Sequence, residues 1–269
     1  MNPLRQMAGT LVALAILTAS LSCQTHDADD RLTIAAAADL RFAMDELIAD
    51  FQHRRGGEHA AEIRVIYGSS GNFYAQLTQR APFDLYLSAD IAYPKKLVDA
   101  GLAMDDDHFE YAIGRLVIWT SRDSPVDVEG LRWEALQAPG VRRIAVANPD
   151  HAPYGEAAVA ALRQADRYDE VADRLVFGEN IAQAAQFVDT GAAEIGIIAL
   201  SIAIAPEMAD RGLHWEIPLE TFPPLRQGGL IPRWSSQPEL AGEFRDYLVG
   251  PHGQEILSRY GFLSPGSLP

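Results

Sequence analysis

Four short stretches of this chain place small residues, hydroxyls and amides where a strand runs directly into a helix. They are Ala36-Ala37-Ala38-Asp39-Leu40, Gly68-Ser69-Ser70-Gly71-Asn72, Asn148-Pro149-Asp150-His151-Ala152-Pro153-Tyr154-Gly155 and Gly178-Glu179-Asn180-Ile181. A helix leaves its first N–H groups unpaired and its aligned dipoles make that end positive. A helix start therefore holds an anion without a cationic side chain. Glycine lets the backbone approach a ligand, and serine adds a hydroxyl donor. Taken singly, each stretch is an ordinary corner, with Asp39 an N-cap. Taken together, Ala38, Asp39, Ser69, Ser70, Tyr154, Asn180 and Ile181 are candidate ligand-binding residues.

Catalytic chemistry has less support. His53 and His59 flank a polar turn, and His108 follows the charged run Asp105-Asp106-Asp107. His151 lies within one of the four stretches, but no His or Cys partner stands at metal-ligand spacing. There is no Gly-x-Ser-x-Gly elbow, no phosphate loop with its lysine and no Gly-x-Gly-x-x-Gly turn. Ser69 and Ser70 have no evident base. An enzyme would have to use Tyr154 or His151 as acid or base; the expectation is no catalysis, no cofactor and no resident metal.

The elements that position these residues alternate. Ile34–Ala38 reads as a buried strand, and Leu40, Ala43, Met44, Leu47, Ile48 and Phe51 form one apolar helical face. Strands are expected over Glu62–Tyr67, Asp84–Ser88, Arg143–Ala147 and Leu175–Phe177, each leading into a helix, and over Ile195–Leu200. Tyr111–Thr120 reads as one long β-rich crossing into a second lobe, and Trp215–Leu219 as the return. Pro238–Gly250 and His252–Tyr260 are closing helices. This pattern is α/β with mostly parallel sheets flanked by helices. It predicts a first lobe over 32–113, a second over 114–217, and a return to the first over 218–269. If the lobes close, the four helix starts converge on one cleft.

The formal charge of −15 argues against nucleic acid, and no basic run suggests an anionic membrane surface. An anion would be held against that overall field. Hydrogen bonds to a charged group contribute about 1.5–3 kcal/mol each, and helix ends about 0.3–2 kcal/mol. Several of them outweigh the screened repulsion of scattered surface carboxylates. Residues 1–22 read as an export signal, with Arg5 before an apolar run over Met7–Leu21 that is too short to span a bilayer comfortably. Cys23, the only cysteine, ends that run, and 23–31 form a polar tether.

In these motifs, and in Pro82–Asp90 and Arg259-Tyr260-Gly261-Phe262, the chain resembles the periplasmic molybdate-binding proteins of bacterial ABC importers. The resemblance runs from about Leu32 to Phe262. It implies the two-lobed type II periplasmic binding protein fold with the ligand cleft between lobes, and a tetrahedral oxyanion, molybdate or tungstate, held by neutral hydrogen bonds. Carried over, Ser70 would give its hydroxyl and N–H, Tyr154 and Ile181 their N–H groups, and Tyr154 its phenol as in some relatives. Two positions depart from the pattern: Asp39 stands where Ser or Asn is usual, and Ala199 where several members place Tyr. An ionised Asp39 beside an oxyanion repels it. Asp39 must turn away as a cap, be protonated, or accept a proton carried by a phosphate-like ligand. The resemblance further implies an exported monomer working with an inner-membrane permease. Cys23 resembles the lipid-modified cysteine of bacterial lipoproteins, simple cleavage to a free periplasmic protein being the alternative. A sensory adaptor with a defunct cleft is a third reading.

Overall fold

The computed structural model describes residues 31–56, 62–104 and 108–267. The expected signal, tether and Cys23 lie outside the described residues, as do His59 and the Asp105–Asp107 run.

Ten strands form two five-stranded sheets. The first sheet contains β1 (Arg31–Ala37), β2 (Glu62–Gly68), β3 (Leu85–Ser88), β4 (Phe109–Gly114) and β10 (Leu225–Leu230), in the order β2-β1-β3-β10-β4. The second contains β5 (Leu116–Ser121), β6 (Ile144–Ala147), β7 (Leu175–Gly178), β8 (Ile195–Ala199) and β9 (Gly212–Glu216), in the order β7-β6-β8-β5-β9. Three strands in each sheet run parallel through helical crossovers. In the first sheet β10 pairs antiparallel with β3 and β4, and in the second β5 does so with β8 and β9.

The helices are α1 (Arg41–Arg55), α2 (Ser70–Thr78), α3 (Ala92–Asp99), α4 (Val128–Leu131), α5 (Pro153–Gln164), α6 (Tyr168–Val171), α7 (Ile181–Asp189), α8 (Leu200–Ala203), α9 (Pro238–Val249) and α10 (Pro251–Arg259). The apolar spacing of α1 fixes how it packs: Ala43, Met44, Leu47 and Phe51 are buried, while Arg41 and Glu46's neighbour Asp45 face outward. Burying each large apolar side chain contributes about 1.5–3 kcal/mol. Gly56, with φ of 111°, ends the helix in the left-handed region that suits glycine.

The expected single strand over Tyr111–Thr120 is two strands. It breaks at Arg115, where the chain leaves the first sheet for the second. The return is later than the sequence suggests, because Trp215 and Glu216 still belong to β9 and the passage occupies 217–224. Arg115 Nη2 is hydrogen-bonded to Glu216 Oε1, so an ion pair ties the two passages together.

In both sheets the first two parallel strands end in register, Ala37 beside Gly68 and Ala147 beside Gly178. The crossover after the second strand reaches past the first, to β3 and to β8. This is the place in an α/β sheet where helix starts open onto a crevice. The four donor-bearing stretches follow these four strand ends.

Candidate functional site

The seven candidate residues line one cavity of about 10 Å³, together with Ala37, Gly68, Ala89, Ala152 and Pro153. Ala38, Asp39, Ser69 and Ser70 come from the first-sheet side, and Tyr154, Asn180 and Ile181 from the second. No Lys, Arg or His is among the lining residues.

The backbone groups can be accounted for one by one. In α7, Asn180 Oδ1 accepts the N–H groups of Ala182 and Gln183 at 3.1 Å, and Ala184 N–H goes to Asn180 O. In α2, Gly71 N–H goes to His151 O at 2.9 Å and Phe73 N–H to Ser69 O. In α5, Gly155 and Glu156 both donate to Ala152 O. Among the described residues, the N–H groups of Ser70, Tyr154 and Ile181 have no such acceptor. Ser70 Oγ accepts Ala89 N–H at 2.9 Å, which leaves the hydroxyl's own proton for donation. The site thus offers neutral donors from three helix starts.

The remaining candidates have their side chains engaged. Asn180 is the N-cap of α7. Ser69 Oγ lies 3.0 Å from His151 Nδ1, a contact that crosses from one half of the molecule to the other. Tyr154 Oη accepts from Gln227 Nε2 at 3.1 Å, so the phenol points at β10. Ala199 ends β8, fully buried and away from the cavity lining.

Asp39 departs from the expected cap: its side chain makes no capping hydrogen bond at the start of α1. It lies buried in a single 3-10 turn, where Oδ2 accepts from Gln227 Nε2 at 2.5 Å. Asp39 Oδ1 and Gln227 Oε1 are buried without a partner among the described residues. Burial pushes the Asp39 carboxyl up to about 6, although hydrogen bonds from Gln227, Tyr154 and the local backbone pull the other way. Burial likewise raises the Tyr154 phenol well above its ordinary value, the neighbouring Asp39 charge adding to it. The Ser69 hydroxyl, for which the sequence shows no evident base, has the His151 ring nitrogen at hydrogen-bond distance.

Sequence reasoning did not reach Gln227. Its stretch, Leu225-Arg226-Gln227-Gly228-Gly229-Leu230, carries paired glycines, which strands disfavour, yet it is a strand of the first sheet. The polar residue is fully buried there, 188 positions from its partner Asp39.

Several hydrogen bonds join the halves around the cavity. Besides the Ser69 and Gly71 contacts with His151, Asn72 Nδ2 reaches Glu179 Oε1 at 3.4 Å, and Ser201 Oγ donates to Asp39 O at 2.8 Å. Gly71 is required where it stands, since a Cβ there would come within 2.7 Å of His151 O. The two halves thus clasp the cavity, hydrogen-bonded to each other around it, with three helix starts in its lining. Among the described residues no group of His, Cys, Asp and Glu could hold a metal ion, and no helix is long and apolar enough to cross a membrane.

A clasp of this kind defines a solute-binding protein, and residues 32–263 match the family of bacterial extracellular solute-binding proteins, to which the chain belongs. The Molybdate-binding protein ModA of Rhodobacter capsulatus is 34% identical over 230 residues, covering 86% of this chain and 87% of that one. The protein of the same name from Azotobacter vinelandii is 32% identical over 251 residues, covering 93% and 96%. The solved structure of an Azotobacter vinelandii periplasmic molybdate-binding protein superposes with a TM-score of 0.80 at 29% identity, covering 87% of this chain and 99% of that one. The two-lobed α/β fold expected from the sequence is the fold of that structure.

Proposed function

We propose that the protein is the periplasmic receptor of an ABC importer, closing on molybdate or tungstate and delivering it to a permease in the inner membrane. The observation that carries this reading is the convergence of Ser70, Tyr154 and Ile181 N–H groups, with the Ser70 hydroxyl, on one cavity that has no cationic lining. Fixed neutral dipoles in a buried pocket suit a dianion, whose charge they meet without a counter-charge that would also attract chloride or carboxylates. The names of the relatives point to the same ligand. The cavity of about 10 Å³ is near the size of one water. A tetrahedral oxyanion needs more, so binding it requires the two sides of the cavity to part from the arrangement seen here. The Mo or W atom is cargo; no cofactor and no catalytic step are invoked.

A second reading rests on Asp39. Its unpartnered Oδ1 in the cavity region could accept a proton from a phosphate-like anion. Titration calorimetry and thermal shift with molybdate, tungstate, sulfate and phosphate separate the two readings. Saturable binding of molybdate and tungstate is expected; binding of phosphate with molybdate silent would transfer the assignment to the second reading. We further propose that Cys23 carries a lipid anchor and that the receptor acts as a monomer. The position of Cys23 after the apolar run supports the anchor. Mass spectrometry of the membrane fraction tests it.

A further inference from the structure

A groove of about 360 Å³ adjoins the cavity, sharing Ala38 and Asn180 with it. One wall is α1 and β2, with Arg41 and Tyr67; the other is α7, with Gln183 and Gln186. We propose that this groove is the vestibule through which the anion reaches and leaves the cavity, and that Arg41 captures it there. The inference rests on the oxyanion-receptor reading and adds a route and a residue to it.

Three observations carry it. The first is an asymmetry of the clasp. On the side of Ser69, Gly71 and Asn72 the halves are laced by bonds to His151 and Glu179, and passage there would require breaking them. On the Arg41 side the groove separates α1 and β2 from α7, and the bond from Ser201 Oγ to Asp39 O joins the halves beside it.

The second is charge. The chain carries −15, a field that repels dianions. Arg41 is exposed and, among the described residues, forms no ion pair. The groove's carboxylate, Asp189, is already held by Arg211 Nη2 at 2.8 Å. Arg41 is thus the cation that lines the groove, with Asp45 one turn further along α1.

The third is donor polarity. Gln183 Oε1 accepts Glu179 N–H at 2.7 Å, which leaves the Gln183 amide's N–H groups as its remaining hydrogen-bonding capacity. An anion in the groove meets a guanidinium and an amide donor before it meets the backbone N–H groups. Arg41 does not line the inner cavity. Its effect falls on arrival rather than on retention.

Stopped-flow binding of molybdate to the wild type, Arg41→Gln and Arg142→Gln tests this. Arg142 is 80% exposed at the start of β6, opposite the strand end that carries the site, and its loss changes the net charge equally. In Arg41→Gln the association rate should fall about five- to tenfold at low ionic strength. The difference should shrink as the Debye length drops to about 3 Å near 1 M salt. Dissociation should stay within about twofold, the pattern for a charge outside the buried contacts. Arg142→Gln should associate like the wild type. An association rate in Arg41→Gln no lower than in Arg142→Gln overturns the vestibule while leaving the receptor reading intact. A loss confined to the dissociation rate does the same, because it makes Arg41 a contact of the bound state. Failure of the wild type to bind molybdate, tungstate, sulfate or phosphate removes the receptor reading itself.

Discussion

Tyr154 Oη stands over Gly114: a Cβ on residue 114 would lie 2.2 Å from it and 2.9 Å from Gln227 Nε2. Gly114 is the last residue of β4, immediately before the chain leaves the first sheet, whereas Tyr154 belongs to α5 on the other side. The phenol therefore fits only when the halves are closed and residue 114 has no side chain. Gly114→Ala should hold the halves apart. Forcing one methyl into filled space costs about 1–3 kcal/mol, so anion affinity should weaken about ten- to a hundredfold. Calorimetry gives the affinity, and small-angle scattering should show a larger radius with anion present than the wild type has. Unchanged affinity would mean that Tyr154 moves aside freely.

Asp39 gives stability a pH dependence of definite sign. Its carboxyl ionises near 6 when folded, because burial disfavours the charge, against an ordinary 3.8. The folded state thus holds the proton more tightly than the unfolded chain. The contribution of Asp39 to stability is full below about pH 4, falls as pH rises through 6 and is flat above, by about 3 kcal/mol in all. Affinity for a dianion should fall over the same interval, since the ionised carboxylate lies beside the cavity. Asp39→Asn should remove both slopes in urea titrations and calorimetry run from pH 4 to 8. A stability difference between the wild type and Asp39→Asn that stays constant from pH 4 to 8 would contradict the assignment.

Ser70→Ala removes the one side-chain hydroxyl whose proton is left for an anion. A hydrogen bond to a charged group contributes about 1.5–3 kcal/mol, so the dissociation constant should rise about ten- to a hundredfold. The lost acceptor for Ala89 N–H adds a separate stability cost of about 1–3 kcal/mol. Melting curves without anion measure the second effect, and calorimetry the first.

Asn180→Ala tests the opposite division of labour. Its Oδ1 caps α7, and loss of an N-cap costs about 0.5–2 kcal/mol. In a domain of this size the melting temperature should drop by about 2–4 °C for each kcal/mol. The freed amides of Ala182 and Gln183 remain available to water, so affinity should change less than in Ser70→Ala. A larger affinity loss than stability loss would make Asn180 a direct ligand contact.

His151→Ala deletes the side-chain contact with Ser69 that exists only in the closed form. The dissociation rate should rise about three- to tenfold, the effect of one hydrogen bond of roughly 1 kcal/mol. Association should be unaffected. Stopped-flow traces distinguish this from the Arg41 behaviour, where the change is expected in association.

How much of this was legible in the sequence follows from distance along the chain. The four helix starts announce themselves locally, because the Gly-Ser-Ser-Gly turn, the Pro153–Tyr154 helix entrance and the Gly-Glu-Asn-Ile corner each need their residues for nearby backbone geometry. Their convergence came from the resemblance and the strand order, not from any one stretch. Asp39 misled as a cap, since the same residue type serves a local N–H or a distant amide, and burial against Gln227 decided between them. The strand β10 stayed hidden because Gly228 and Gly229 are residues that strands disfavour. They are glycines because Ile91, Phe109 and Tyr86 press against the strand and leave no space for side chains.

The ion pair of Arg115 with Glu216 sits where both connecting segments leave the second sheet. Bound to each other, the two connections are coupled at that end, so a movement of one is passed to the other. A receptor that reported its occupancy through its shape would need such a coupled joint, because it lets the two halves move as units.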